Sequence, residues 1–206
     1  MEFTKDQLER LRRQFAFIVE IDREKEIVRQ TPIADASRKE NDAEHAWHMA
    51  VMVLLLAEYA SEPIDPLRTI SMLLIHDLVE IYSGDTYAYD EKGKESQRER
   101  ELAAADRLYG LLPEDQAVQM RALWDEFEER KTPEAKFARS MDNLQPMMLN
   151  NATDGISWVE HGVRLSQILA RNERTAEGSE ILWQYARDQW LLPNVEKGRV
   201  KDDRKA

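Results

Sequence analysis

The sequence predicts an all-α, single-domain helical bundle, and three observations support this fold class. Apolar residues recur at intervals of three and four along most of the chain, as on one face of an amphipathic helix. No segment alternates apolar and polar residues as a half-buried strand does, and no Gly-rich phosphate loop occurs. A chain of 206 residues is long enough for one sizeable core. We expect residues 1–193 to form the domain and residues 194–206 to be a charged, frayed tail.

Charge and composition exclude several classes of protein. The chain has 40 acidic and 29 basic residues, and its net charge of -11 opposes nonspecific binding to nucleic-acid polymers or anionic membranes. It has no cysteine, so a metal would have to be held by His, Asp or Glu. The N-terminus lacks the apolar core of an export signal, and the apolar run 49–57 is too short to span a bilayer. We therefore expect a cytoplasmic protein without a membrane partner.

The N-terminal third predicts two helices separated by a polar segment. Residues 5–22 have one apolar stripe that we expect to face the core, formed by Leu8, Leu11, Phe15, Ile18 and Val19. Residues 29–42 are too long and polar for a simple turn, and both a functional loop and a solvated connector remain open. The next helix is expected to begin near Asn41 or Asp42, either of which can cap it, and to continue to about Tyr59.

The run 70–80 interrupts an apolar helical pattern with His76 and Asp77. A helix that is apolar around most of its circumference is buried, and an ionised carboxylate there is costly unless it is paired or bound to a metal. Glu80 follows Asp77 by three residues and His76 by four, so all three would lie on neighbouring parts of one helix. The alternative is a core histidine beside an ordinary polar face.

Other candidate residues lie on either side of this run. His45 and His48 both lie near the start of the preceding helix, and their spacing alone does not decide which is a ligand. Gly84 supplies a flexible turn that would let Asp85 bend back toward the His76–Asp77 pair. The polar stretch 87–100 is expected to be a mobile lid or surface loop. Its cations could meet an anion or could form a solvated charge run: Lys92, Lys94, Arg98 and Arg100.

The C-terminal half predicts further helices at about 96–111, 114–130, from Pro133 onward, near 157 and at about 177–191. Thr132 followed by Pro133 is a strong helix start. In the helix that it opens, Asp142 lies on the flank of the apolar face, four residues before Pro146. Since Pro146 lacks the amide that would bond the Asp142 carbonyl, we expect a kink at this carboxylate. An acid buried beside a kink is a candidate ligand.

Together, His45, the His76–Asp77 pair and Asp142 form the ordered pattern of a His, a His-Asp pair and a later Asp. This pattern resembles the HD-domain metal phosphohydrolases. Residues 41–50, 76–85 and 135–142 are similar to the corresponding stretches of the 5'-deoxynucleotidase branch of that family. The similarity spans roughly residues 5 to 190, so the resemblance covers nearly the whole expected domain.

The resemblance implies a role for each candidate residue. It implies four metal ligands, and so favours His45 over His48: His45, His76, Asp77 and Asp142. Glu80 and Asp85 match the two catalytic acids of the family. Arg29 or Arg38 should bind the phosphate, because a guanidinium matches its oxygens two at a time, but neither aligns cleanly with the family's arginine. Two nitrogens and two oxygens suit Mn, Co, Zn, Fe or Ni better than Ca.

The implied function is hydrolysis of (deoxy)nucleoside 5'-monophosphates by a water molecule that the metal activates. Glu80 would act on the nucleophile and Asp85 on the leaving 5'-oxygen, or the reverse. Two alternatives remain: a hydrolase of another phosphoester, such as a cyclic nucleotide or a guanosine polyphosphate, and a nucleotide-binding regulator without turnover. The resemblance also implies a homodimer. His48 and His161 are expected to be structural, and three tryptophans are expected in the core: Trp47, Trp158 and Trp183.

Overall fold

The computed structural model describes residues 2–90, 93 and 95–204, and it confirms the all-α fold class. Lys92 and Lys94 of the expected polar stretch lie outside the described residues. The helices up to residue 152 are α1 (Lys5–Glu20), α2 (Asp42–Leu56), α3 (Pro66–Leu73), α4 (Glu80–Ser83), α5 (Gln97–Tyr109), α6 (Glu114–Glu129) and α7 (Pro133–Ala152). The helices of the C-terminal part follow: α8 (Ile156–Glu160), α9 (Leu165–Arg171), α10 (Thr175–Gly178), α11 (Glu180–Ala186) and α12 (Leu192–Glu196). Within the described residues, no helix is both long and apolar enough to cross a membrane.

Local capping begins the helices that carry the site. The Asn41 side chain accepts from the amide of Glu44, whose carboxylate accepts in return from the Asn41 amide, so Asn41 caps α2. The Thr132 hydroxyl caps α7, which continues through Pro146 to Ala152. Caps satisfy amides that have no partner within their own helix, and they therefore fix where each helix begins.

Helix α7 runs through the main core. Its apolar side chains pack with those of α2, α3 and the C-terminal helices: Phe137, Ala138, Met141, Leu144 and Met147. A second apolar cluster joins residues 75–79 to α5 and α6 through Leu108 and Trp124. The polar residues that α7 carries among these apolar ones are therefore held in the interior, where an unpaired polar group is costly.

The expectation of no β structure is wrong for the segment after α1. Strand β1 (Val28–Pro32) pairs antiparallel with β2 (Lys39–Asn41), with Val28 opposite Asn41. Periodicity did not reveal this hairpin because its strands are short and carry polar side chains on both faces. The hairpin resolves the open question about residues 29–42, since it is an ordered element that leads directly into α2.

The expectation that one helix carries His76 and Asp77 is also wrong. Helix α3 ends at Leu73 and α4 begins at Glu80, so the pair lies in the turn between them. Side chains from distant helices satisfy carbonyls in this turn: Tyr109 donates to Ile75 over 3.3 Å and Trp124 donates to His76 over 3.1 Å. These bonds replace those that a continuous helix would have supplied.

The apolar stripe of α1 does not face the core. Phe15, Ile18 and Val19 are 61%, 54% and 71% exposed, and Phe17 is the residue of α1 that is buried. Helical spacing predicted the stripe correctly but could not say what covers it, and no described residue of this chain does. Trp47 is likewise 63% exposed, against the expectation of a core position, whereas Trp158 is buried.

The described part of the expected tail, residues 194–204, packs against the domain, contrary to the expectation of a frayed tail. Val200 is 1% exposed and packs in the main core, and the carbonyl of Lys201 accepts from the amide of Leu165 over 2.9 Å. The Asp203 carboxylate accepts from the amide of Ser166 at the start of α9. A buried valine among charged residues gave too weak a signal to predict this packing.

Candidate metal and phosphate site

The imidazole of His45 is fully buried and oriented by an amide. Its Nδ1 lies 2.9 Å from Oε1 of Gln145, and Nε2 of Gln145 donates to Glu40 over 2.9 Å. Because Gln145 uses its amide nitrogen on Glu40, its oxygen is the atom that faces His45, and Nδ1 of His45 is the donor. In the neutral imidazole this leaves the lone pair on Nε2, which lies 3.2 Å from Oδ1 of Asp142 and can bind a cation in place of a proton.

His76 is oriented by the backbone in the same way. Its Nδ1 donates to the carbonyl of Leu73 over 2.8 Å, so in the neutral imidazole Nε2 again carries the lone pair. This Nε2 is buried and has no hydrogen-bond partner among the described atoms, although Oδ2 of Asp77 lies 3.1 Å away. A buried nitrogen with a free lone pair beside a carboxylate is what a metal ligand requires.

Asp142 completes the cluster from the middle of α7. Its Oδ1 lies 3.2 Å from Nε2 of His45 and 3.8 Å from Nε2 of His76. Ligand atoms of these three residues all lie within 4.8 Å of one another. The structure therefore brings three of the four proposed ligands into one cluster, and Oδ2 of Asp77 lies beside it, 3.1 Å from Nε2 of His76. The imidazole nitrogens and carboxylate oxygens of these residues fit a divalent transition metal.

Protonation in the cluster follows from burial and opposite charge. Burial alone would lower the pKa of His76, but Asp77 and Asp142 raise it to about 10. Burial alone would raise the pKa of Asp142, but the hydrogen bond from His45, the nearby imidazole of His76 and the charge of Arg139 hold it well below its ordinary value. The carboxylates thus attract positive charge to the point where the two imidazoles meet.

The structure separates the two candidate arginines. Nη1 of Arg29 on β1 donates to Asp42 over 2.9 Å and to Asp77 over 2.8 Å, and its side chain is 13% exposed. Arg38 is 53% exposed and forms a two-bond ion pair with Glu44. The structure therefore does not bring Arg38 to the site: it lies just before β2, and its guanidinium is held by Glu44.

Glu80 and Asp85 lie beside the cluster. Glu80 is buried, and its Oε2 has no hydrogen-bond partner among the described atoms. Burial and the nearby carboxylates of Asp77 and Asp42 raise the pKa of Glu80 well above its ordinary value. Gly84 has a φ of +76°, a conformation that favours glycine, and it turns the chain so that Asp85 reaches the same cavity. Burial and Asp77 also raise the pKa of Asp85.

These side chains line a cavity of about 640 Å³. This volume lies within the range of small-molecule sites. The lining also includes aromatic and amide side chains: Tyr87, Tyr89, Trp158, Asn143, Asn150 and Asn172. The cavity therefore combines cationic and proposed metal-binding residues with side chains able to contact a larger organic group.

The two remaining histidines lie outside the ligand cluster. His48 Nδ1 lies 3.2 Å from Nε2 of Gln145, so it contacts the residue that orients His45. The ring of His161 packs against Tyr87 at 4.6 Å between centroids. Both positions agree with the structural roles that the sequence suggested.

Sequence reasoning missed three polar residues that support the site. Gln145 follows Asp142 by three residues, so helical spacing alone could have placed both on one face. Asp42 was considered only as a cap, yet it is fully buried and binds Arg29. Glu40 lies in β2, where nothing in the sequence indicated that it would be buried against Gln145.

Comparison with known proteins gives consistent matches. The sequence pattern of the HD domain family matches residues 21–183. The 5'-deoxynucleotidase HDDC2 of Homo sapiens is 30% identical over 114 residues, which is 55% of this chain and 54% of that protein. Its counterpart in Xenopus laevis is 32% identical over 111 residues, 54% of each chain. The chain thus spans about half the length of these curated relatives.

A solved structure matches over almost the full chain. The crystal structure of a predicted metal-dependent phosphohydrolase from Magnetospirillum magnetotacticum MS-1 superposes with a TM-score of 0.90. It is 46% identical in sequence, and the match covers 97% of this chain and 100% of that one.

Proposed function

Because the chain belongs to the HD domain family, we propose that it is a metal-dependent phosphohydrolase that releases phosphate from deoxyribonucleoside 5'-monophosphates. One observation carries this proposal: the Nε2 atoms of His45 and His76 meet Asp142 beside the largely buried guanidinium of Arg29. A cation held there and an arginine next to it provide the two positive groups that a phosphate monoester needs.

Four residues would hold the ion: His45, His76, Asp77 and Asp142. When bound, the ion would lower the pKa of a water molecule and polarise the phosphoryl group. The mixed nitrogen and oxygen set suits Mn, Co, Zn, Fe or Ni.

Arg29 would bind the phosphate oxygens. Asp42 and Asp77 hold its Nη1 in a fixed position, while its Nε is buried without a hydrogen-bond partner among the described atoms. A guanidinium that is already oriented loses little side-chain entropy when it binds phosphate. Arg29 is therefore the better supported of the two candidate arginines.

Glu80 and Asp85 would move the protons. One carboxyl group takes a proton from the attacking water, and the other gives a proton to the leaving 5'-oxygen as the P–O bond breaks. The raised pKa of each group favours this role, because a carboxyl group that titrates closer to neutral pH can both accept and donate a proton there.

A substrate panel tests the proposal. Protein stripped by a chelator is resupplied with Mn, Co, Zn or Mg and incubated with deoxyribonucleoside and ribonucleoside 5'-monophosphates, a cyclic nucleotide and a guanosine polyphosphate. We expect metal-dependent phosphate release that favours the deoxyribose monophosphates and is lost in Asp77→Ala. Activity confined to the cyclic nucleotide or the polyphosphate would replace this substrate class. Tight nucleotide binding without release from any compound would indicate a regulator.

We also propose that the protein is a cytoplasmic homodimer whose subunits meet at the exposed apolar face of α1. Support comes from Phe15, Ile18 and Val19, whose large exposed fractions are typical of an interaction surface rather than of free solvent exposure. Sedimentation velocity tests the dimer. We expect Phe15→Glu to give a monomer and Leu67→Glu, an exposed position on α3, to leave the dimer intact; a wild-type monomer would contradict it.

A further inference from the structure

A cluster of arginines lies on the far side of Asp142 from the two imidazoles. Oδ1 of Asp142 faces His45 and His76, whereas its Oδ2 accepts from Nη1 of Arg139 over 2.8 Å and lies 3.6 Å from Nη2 of Arg171. Arg130, at the C-terminal end of α6, lines the same part of the cavity. Asp142 therefore approaches the two imidazoles through Oδ1 and the arginines through Oδ2.

The positive charge of this cluster is only partly balanced. Arg139 pairs with Asp142 and with Glu128 at 3.2 Å, and Glu128 is shared with Arg98 at 3.3 Å. Arg130 forms no ion pair with any described residue. Burial together with repulsion from Arg139 lowers the pKa of Arg130 to about 10, so Arg130 remains charged at neutral pH.

The unpaired charge faces the cavity. Arg130 and Arg171 both line it, and the Arg171 side chain is 26% exposed. A partly buried guanidinium that has neither a carboxylate nor full hydration is unfavourable until an anion reaches it. The arrangement therefore calls for an anionic group on the ligand at this place.

We propose that Arg130 and Arg171 form a second anion subsite, which binds a second phosphate of the substrate. This inference rests on the proposed function and specifies its substrate class as a nucleoside bisphosphate, with one phosphate at the 5' position and the other at the 3' position. The arginines approach Oδ2 of Asp142, whereas the two imidazoles approach its Oδ1. We therefore assign the second phosphate to the 3' position of the sugar and not to a phosphate attached directly to the reacting one.

The reaction at the 5' end is unchanged. The oxygen of water bonds to the 5'-phosphorus, the bond from phosphorus to the 5'-oxygen breaks, and that oxygen takes a proton. The products are orthophosphate and a nucleoside 3'-monophosphate. Arg130 and Arg171 hold the 3'-phosphate throughout, since a guanidinium can bond two phosphate oxygens at once.

Steady-state kinetics on the metal-loaded protein test the subsite. Substrates are deoxyadenosine 5'-monophosphate and deoxyadenosine 3',5'-bisphosphate. We expect kcat/KM to be at least ~10-fold higher for the bisphosphate, because hydrogen bonds between the arginines and the 3'-phosphate stabilise the bound substrate by a free energy that corresponds to this factor. Arg130→Gln should remove this preference and leave the monophosphate value within about twofold. The matched control Arg187→Gln, which removes an exposed charge outside the cavity, should keep the preference.

Calorimetry gives a readout without turnover. The Glu80→Gln chain, loaded with manganese, is titrated with each ligand, with and without Arg130→Gln. We expect the bisphosphate to bind at least ~10-fold more tightly, and this advantage to disappear with Arg130→Gln. If Arg130→Gln does not fold, as judged by thermal melting, Arg130→Lys replaces it and should weaken the advantage while keeping the charge.

Each outcome bears on the subsite. Equal affinity for the two ligands, or a preference that survives Arg130→Gln, would overturn it. If Arg130→Gln weakened the binding of both ligands by the same factor, the subsite would be overturned too, because Arg130 would then bind the reacting phosphate. If neither ligand releases phosphate but the bisphosphate still binds more tightly through Arg130, the proposed function fails and the subsite stands.

Discussion

Nδ1 of His45 on α2 donates a hydrogen bond to Oε1 of Gln145 on α7 over 2.9 Å. This bond sets the tautomer of the imidazole, because Glu40 holds the amide nitrogen of Gln145 on the other side. It also joins the two helices that supply His45 and Asp142. The orientation of one proposed ligand therefore depends on a neutral side chain one turn away from another.

Gln145→Leu is expected to weaken metal binding. Leucine fills a similar volume but cannot accept from Nδ1, so His45 loses its fixed orientation and tautomer. Replacing a residue that hydrogen-bonds a metal-binding histidine typically lowers the affinity for the metal by about 10–100-fold. Calorimetric titration of manganese into chelator-stripped protein measures the change. Gln184→Leu, at an exposed position of α11, is the matched control, and equal affinities for the two variants would contradict the role of Gln145.

The two arginines that the sequence could not separate should differ sharply when each is replaced by alanine. Arg29→Ala removes charge-assisted bonds to phosphate and should lower kcat/KM by roughly 100-fold. Arg38→Ala removes an exposed ion pair with Glu44, and exposed pairs of this kind contribute at most about 1 kcal/mol to stability. Its kcat/KM should stay within about twofold. Phosphate release measures both, and a larger loss for Arg38→Ala would reverse the assignment.

Glu80→Gln keeps the shape of the side chain but cannot exchange a proton. Its kcat should fall by about 10²–10⁴, the usual contribution of general acid–base catalysis. Manganese affinity should be nearly unchanged, because the proposed ligands are other residues. Glu129→Gln, an exposed change at the end of α6, serves as the control. Loss of metal binding in Glu80→Gln would show that Glu80 is a ligand instead.

Glu24 should make the stability of the metal-free protein depend on pH. Burial and the charge of Asp77 raise its pKa from 4.5 to about 7, and its Oε1 has no hydrogen-bond partner among the described atoms. The folded state therefore keeps its proton up to about pH 7, whereas the unfolded chain loses it above about 4.5. The contribution of Glu24 to the free energy of unfolding is therefore complete below pH 4.5. It decreases as the pH rises to about 7, by roughly 3 kcal/mol in total.

The Glu24→Gln variant has no carboxyl group at this position, so its stability does not decrease through the ionisation of residue 24. Relative to the wild type, we expect its free energy of unfolding to increase between pH 5 and pH 8. Urea unfolding at both values, on chelator-treated protein, gives the comparison. The exposed replacement Glu26→Gln on the same turn should show no such increase. The same difference between Glu24→Gln and wild type at both pH values would show that Glu24 does not titrate in this range.

Helices were predictable where their signals are local. Thr132 and Pro133 begin α7 where expected, and Asn41 begins α2, because a cap depends on residues within one turn. The order of the His, the His-Asp pair and the later Asp predicted candidate ligands on three separate segments. Whether these residues meet in space depends on how α2, the turn at His76 and α7 pack against one another. Sequence spacing did not predict this meeting; the resemblance to the HD-domain family did.

The parts that sequence reasoning missed depend on distant residues. The turn at His76 is stabilised by Tyr109 and Trp124, whose donors come from helices about 30 to 50 residues further along the chain. Arg29 contacts Asp77 and Arg38 does not, because a short polar hairpin that periodicity does not reveal places Arg29 in β1 and leaves Arg38 exposed with Glu44. The apolar face of α1 was predicted correctly, but an apolar pattern alone does not say whether a helix face packs in the core or lies exposed on the surface.

Metal titration tests most directly whether His45, His76, Asp77 and Asp142 hold an ion on which phosphate release depends. Manganese is added stepwise to chelator-stripped protein, and bound metal and phosphate release from deoxyadenosine 5'-monophosphate are measured in the same samples. We expect release to rise in step with bound metal up to a single ion per chain, and His76→Ala to lose both. Full activity in the stripped protein, or a His76→Ala variant that retains both properties, would contradict the account.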